Sequence, residues 1–191
     1  MSGYRLQEPP NAVQIELVEG CQLRCSFCGL NGIREPKKNN FKFMSMETLR
    51  SLVNSMTELK WNSRIEFAMH GEPTMHPNLI EMIAATRELA PKLPIMMTSN
   101  GGGLMRNTAA TIKELFAAGL DTLALDDYVK VSLVERIRDA ISREWERLDY
   151  QVYDYPEAGS IASPHARVNQ KRLIYVQDIS QAVAGNHSLI N

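Results

Sequence analysis

The chain's three cysteines all fall within eight consecutive residues, Cys21-Gln22-Leu23-Arg24-Cys25-Ser26-Phe27-Cys28. Thiolates are soft ligands suited to iron–sulfur clusters, zinc or copper(I), and the Cys25-x-x-Cys28 gap lets two sulfurs converge on one centre. Cysteines crowded into one loop make no disulfide framework, and thiolate ligands call for a reducing compartment. An all-cysteine cubane takes four thiolates. A four-iron cluster held here therefore has one iron without a protein sulfur, an open position where a substrate or cofactor can bind. Zinc on the three cysteines and a histidine such as His70 or His76 is the other reading.

Two further segments carry chemistry. His70-Gly71-Glu72-Pro73 sets a carboxylate between a glycine, which lets backbone approach a ligand closely, and a proline, which stiffens the turn and gives up its N–H; a carboxylate so placed can hold an ammonium group. Thr98-Ser99-Asn100 leads into Gly101-Gly102-Gly103, and Asp126 follows a short apolar run. The glycine run is not a phosphate cradle, because the Lys-Ser/Thr of a P-loop is absent and G-x-G-x-x-G is not matched.

Each of these segments falls at the end of a predicted strand. Val13, Ile15 and Leu17 alternate with Gln14 and Glu16, which predicts a strand over Ala12–Val18 running into the cysteine loop. Arg64–Met69 reads as a second strand, Ile95–Asn100 as a third and Thr122–Leu125 as a fourth. Between them, Met46, Leu49, Leu52, Val53, Met56 and Leu59 recur at helical spacing behind a Ser45 cap. Pro77 opens a second helix with Leu79, Ile80, Ile83 and Ala84 on one face. Thr108 caps a third, carrying Ile112, Leu115 and Phe116 and stopped at Gly119. The capping box Ser132–Glu135 begins a fourth, through Val134, Ile137, Ile141, Trp145 and Leu148. Tyr150–Tyr153 and Arg172–Val176 read as fifth and sixth strands; 29–43 reads as a polar, basic loop, and 156–171 has no helical periodicity. Repeated strand-then-helix units predict an α/β protein with a parallel sheet and helices outside it. The chemistry then sits at the C-terminal strand ends, where such sheets bind ligands.

Length and composition add bounds. The 191 residues suit one domain with a real core, and 44% hydrophobic and 23% charged residues are ordinary for a globular protein. A formal net charge of -1 gives no argument for nucleic acid. No apolar run reaches the ~18 residues of a membrane span, and residues 1–10 lack the apolar core of a signal peptide. A cytoplasmic location is the expectation.

These motifs, in this order, resemble the radical S-adenosylmethionine (SAM) superfamily, whose C-x-x-x-C-x-aromatic-C signature is met by Cys21, Cys25, Phe27 and Cys28. The resemblance implies a [4Fe–4S] cluster on the three cysteines, with its fourth iron chelating the amino and carboxylate groups of SAM. One electron then cleaves SAM to methionine and a 5′-deoxyadenosyl radical, which abstracts hydrogen from a substrate. His70-Gly71-Glu72-Pro73 resembles the family's GGEP motif, which binds SAM's amino group, with His70 where glycine is usual. Thr98-Ser99-Asn100 resembles the family's T-N-G strand end, whose side chains lie near SAM, with Ser99 intervening between Thr98 and Asn100, and Asp126 matches an acid at the end of its fourth strand. The adenine-contacting G-x-I-x-G-x-x-E motif has no match. The implied fold is a partial (β/α)6 TIM-like barrel with an abbreviated C-terminal part.

The resemblance is carried by residues 12–127 of one core domain spanning 1–191; residues 156–191 read as irregular, either a minimal ending or one that stops short of a completing segment. The motif style is closest to the peptide-modifying branch that continues into a SPASM or twitch domain, yet no cysteine follows Cys28. A peptide or protein is the expected substrate, with a nucleotide or small metabolite next. Flavodoxin or ferredoxin is the expected electron donor. The sixth strand is expected as a sparsely covered edge open to a partner chain. Outside the enzyme class stand a non-catalytic zinc- or cluster-binding protein and an incomplete remnant.

Overall fold

The apolar residues that alternate along the strands lie side by side when the strands pair in parallel, and this builds the core. In the computed structural model, which describes residues 9–23, 25, 28, 41–127, 139–140, 151–155 and 173–178, the elements follow in order. They are β1 (Ala12–Ile15), β2 (Val18–Glu19), β3 (Lys42–Phe43), α1 (Met46–Glu58), β4 (Arg64–Phe67), α2 (Leu79–Leu89), β5 (Ile95–Ser99), α3 (Thr108–Ala117), β6 (Thr122–Asp127), β7 (Gln151–Tyr155) and β8 (Leu173–Asp178). Six of the strands form one sheet in the order β1-β4-β5-β6-β8-β7, and every neighbouring pair is parallel.

Register sets Val13 beside Ile65, Ile65 beside Ile95, Phe67 beside Met97, Met97 beside Leu123 and Leu123 beside Ile174. These side chains join one cluster with Leu49, Val53 and Met56 of α1, Leu79, Met82 and Ile83 of α2, and Ile112, Leu115 and Phe116 of α3. Because strand side chains alternate, the opposite face receives Gln14, Arg64, Glu66, Thr98, Thr122 and Asp126. There Glu66 is buried and accepts hydrogen bonds from Arg64 Nε at 2.7 Å and Gln14 Nε2 at 3.1 Å. One face is apolar and covered by helices; the other is polar and lies below the strand ends.

The predicted elements recur with corrections, two of them small: Asn107 rather than Thr108 stands at the cap of α3 and makes no side-chain cap bond, and in α2 Ala84 is exposed while Met82 and Ala85 are buried. The first strand stops at Ile15: the chain bends at Leu17, and Val18–Glu19 pairs antiparallel with β3, inside the segment read as a loop. In α1, Ser45 caps as predicted, accepting the Thr48 N–H at 3.1 Å, but Leu52 and Leu59 are exposed and only Leu49, Val53 and Met56 are buried. A 3-10 turn, Pro73–Met75, precedes α2, so the helix begins at Leu79 rather than at Pro77.

The last correction concerns strand order. Residues 173–176, expected at the rim, lie inside the sheet, with β6 on one side and β7 on the other. Ile174 is fully buried next to Leu123, a placement that shelters more apolar surface than a rim would. The outer position falls to β7, whose sequence Gln-Val-Tyr-Asp-Tyr is the more polar of the two. The predicted fourth helix and the irregular stretch 156–171 fall outside the described residues apart from the helical pair 139–140. Among the described residues no helix is long and apolar enough to cross a membrane.

Candidate active site

The segment leaving β4 is held by its backbone amides. Glu16, just past the end of β1, turns Oε1 to accept the N–H of His70 at 3.2 Å and of Gly71 at 2.8 Å, and Gly20 O accepts the N–H of Glu72 at 2.8 Å. Three successive amides thus point back toward β1 and its extension. In trans peptides the carbonyls of Met69, His70 and Gly71 point the opposite way. Gly71 is required here: a Cβ on it would stand 1.5 Å from Val18 O. Met69 takes φ +98°, a backbone conformation that costs a non-glycine residue about 1–3 kcal/mol and is found where surrounding contacts enforce it.

Glu72 is the hub of the next layer. It is only 3% exposed. Its Oε1 accepts from Thr74 N at 3.0 Å, Thr74 Oγ1 at 2.5 Å and Ser99 Oγ at 2.6 Å, and its Oε2 accepts from Asn100 N at 2.8 Å. Oε1 is saturated, while Oε2 keeps one acceptor position. Every one of these donors is neutral, and no ion pair among the described residues involves Glu72. Pro73 is buried behind it as the first residue of the 3-10 turn. Ser99 spends its hydroxyl proton on Glu72 and accepts Gly101 N–H at 2.9 Å, so it orients this layer from a 2% exposed position.

The cysteine loop meets this layer through Asn100. Its Nδ2 donates to Cys21 Sγ at 3.2 Å, and its Oδ1 accepts from Gln22 Nε2 at 2.6 Å and Gly102 N at 2.9 Å. Leu23 N–H donates to the same sulfur at 3.3 Å, and a turn closed by Cys28 N to Cys25 O at 3.1 Å brings the C-x-x-C pair round. The glycine run serves packing: a Cβ on Gly102 would lie 2.0 Å from Gln22 Nε2, and one on Gly103 2.4 Å from Thr74 Oγ1.

The result is one cleft of about 310 Å³ over the C-terminal ends of β4, β5 and β6. Cys21, Cys25, Cys28, His70, Gly71, Glu72, Ser99, Asn100 and Asp126 all line it. Phe27 falls outside the described residues, and Pro73 supports the wall without lining it. Thr98 of the T-N-G-like strand end lines it too, and Met69 joins the lining unannounced by any motif, as do Glu16 and Gln22 behind it. A polar residue at a strand end or within a motif gap gives no sequence signal of its own; only the hydrogen bonds identify it.

The zinc reading loses one of its histidines. His76 is 6% exposed, Nδ1 accepts Asn78 N–H at 3.1 Å, and Nε2, which then carries the proton, faces Met44 O at 3.1 Å. Both ring nitrogens are committed to the fold, and His76 does not reach the cleft.

Residues 15–133 match the family described as the Radical SAM superfamily. Among relatives, the chain is 27% identical over 163 residues to GTP 3′,8-cyclase 2 of Mycobacterium tuberculosis, covering 83% of this chain and 41% of that protein. It is 31% identical over 140 residues to GTP 3′,8-cyclase of Mycobacterium marinum, covering 71% and 35%. The chain thus spans about two fifths or less of these relatives' length. The crystal structure of BtrN in complex with AdoMet and 2-DOIA superposes with TM-score 0.58 at 18% identity, over 87% of this chain and 56% of that one, a likeness of fold.

The donor set fits the superfamily's cofactors, a [4Fe–4S] cluster and SAM. Three part-exposed thiols line one cleft, yet among the described residues no trio of His, Cys, Asp or Glu is gathered closely enough to hold a single metal ion. Three cysteine sulfurs are the soft donor set that an iron–sulfur cluster takes.

Proposed function

We propose, for a chain that belongs to the radical SAM superfamily, that this cleft holds the cluster on Cys21, Cys25 and Cys28 with SAM beside Gly71 and Glu72, and that the protein is an enzyme of reductive SAM cleavage. When bound, these cofactors supply a 5′-deoxyadenosyl radical that abstracts hydrogen from a substrate. The observation that carries the reading is that three thiols line the same cleft as a buried carboxylate that has no cation partner among the described residues.

The chain's own residues bind and orient. The carbonyls of Met69, His70 and Gly71, turned away from Glu16, accept the N–H groups of SAM's ammonium, with Glu72 Oε2 as a further acceptor. The charge on Glu72 attracts that ammonium through a site poor in water, where electrostatic attraction is stronger than in bulk. Ser99 and Thr74 keep the carboxylate in place, and His70 and Asp126 present polar groups further along the wall. Phe27 fills the aromatic position of the cysteine signature.

The reading extends to a cytoplasmic protein served by an external one-electron donor such as flavodoxin or ferredoxin. For the substrate, the style of the motifs supports a peptide or protein, whereas relatives named for a reaction of GTP support a nucleotide or another small metabolite. The test is anaerobic: protein reconstituted with iron and sulfide, then given SAM and dithionite, releases 5′-deoxyadenosine, and Cys25→Ala releases none above background. A four-iron cluster without deoxyadenosine supports the incomplete-remnant reading; uptake of zinc alone overturns the assignment of the site.

A further inference from the structure

Asn100 lines the cleft, yet its polar atoms are turned to protein. The backbone N–H is on Glu72 Oε2, Oδ1 accepts from Gly102 N and Gln22 Nε2, and Nδ2 donates to Cys21 Sγ. The orientation of its amide is settled by chemistry. A backbone N–H can only donate, so the carboxamide oxygen must face Gly102 and the NH2 group must face the sulfur. The reverse orientation sets N–H against N–H at Gly102 and oxygen against sulfur at Cys21.

A hydrogen bond to a ligating sulfur draws negative charge from it and so favours the more negative, reduced state of a cluster; such bonds are among the levers that set cluster potentials. Cys21 Sγ accepts such bonds from Asn100 Nδ2 and from Leu23 N, and Gln22 Oε1 stands 3.5 Å from the same sulfur. Gln22 reinforces the first, since its donation into Asn100 Oδ1 polarises the amide and strengthens the opposite N–H as a donor. The absence of a Cβ on Gly102 leaves room for that buttress.

We infer that Asn100 is a positioning residue acting through Cys21: its N–H···S bond raises the reduction potential of the four-iron cluster. The inference rests on the assignment of the three cysteines to that cluster. The same residue carries Glu72 on its backbone amide, so the sulfur on the cluster side and the carboxylate on the SAM side share one support.

The test is an EPR-monitored redox titration of the anaerobically reconstituted protein without SAM, with dithionite as the one-electron donor, so that no turnover enters the readout. Asn100→Leu keeps the size and removes the donor. At the wild-type midpoint its ratio of reduced to oxidised cluster falls about tenfold, which for a one-electron couple is a midpoint about 59 mV lower. Asn100→Asp keeps an acceptor for Gly102 and Gln22 but turns a carboxylate oxygen to the sulfur, and its midpoint falls further. If Asn100→Leu holds no cluster, Asn100→Asp decides, and if both fail, Asn100→Ala, expected to lower the midpoint as Asn100→Leu does, decides. A wild-type midpoint in whichever of these variants decides overturns the inference alone, and a wild-type protein that takes up no four-iron cluster overturns the cysteine assignment with it.

Discussion

Two carboxylates hold opposite ends of the sheet. Asp121, just before β6, accepts the Ile95 N–H at 2.9 Å and pairs with the Arg87 guanidinium, which also donates to Gly119 O and Leu93 O. That knot joins the end of α2 to the starts of β5 and β6, and its charge is balanced. Glu72, beyond the other ends of the strands, has four hydrogen bonds, all from neutral donors. Hydrogen bonding alone does not distinguish a structural carboxylate from a functional one. Charge balance does, because a buried anion left without a cation is costly and is kept where an incoming cation completes it.

Four substitutions separate the two ends of the sheet. Gly71→Ala strikes hardest: its Cβ drives the Glu72 loop off Val18 O, lowering stability by about 3 kcal/mol and abolishing SAM binding, read by urea unfolding and calorimetry. Glu72→Gln keeps the shape but removes the charge and sets an NH2 group against a donor. Stability falls by about 2 kcal/mol, and the SAM dissociation constant rises at least about tenfold, a difference of about 1.4 kcal/mol. Asp121→Asn weakens the Arg87 pairing and costs about 1.5 kcal/mol of stability, with SAM affinity unchanged within about twofold. If Asp121→Asn weakens SAM binding as much as Glu72→Gln, the contrast between the two ends fails. Ser45→Ala, at the cap of α1, costs about 1 kcal/mol and leaves the SAM titration as it was.

The cysteines, the His70–Pro73 segment and the Ser99–Asn100 strand end were legible because their residue types are rare in such spacing and each follows an alternating run. The helices were legible from periodicity, which overcounts: Leu52 and Leu59 keep the spacing of a buried face but lie on its flank and end. Glu16 and Gln22 escaped because a polar residue at a strand end, or at a variable position between cysteines, acquires its role from partners 55 and 78 residues away. The bond from Asn100 to Cys21, made by a residue that also lines the cleft, escaped for the same reason. Strand order is the most remote property of all: period-2 patterning says which residues face the core and nothing about which strand lies beside which.

The exchange of β7 and β8 also sets the sequence of assembly. During synthesis β7 emerges first, but among the described strands its one neighbour in the sheet is β8, which pairs with it only after Leu173–Asp178 has left the ribosome. Until then β6 presents an unpaired edge that carries Leu123 and Leu125. Among the described strands β8 is made last, and it closes two seams at once. β7 and β8 therefore join β6 in a late step, governed by contacts distant in sequence and correspondingly slow. A nascent chain halted before Leu173 exposes that hydrophobic seam to chaperones.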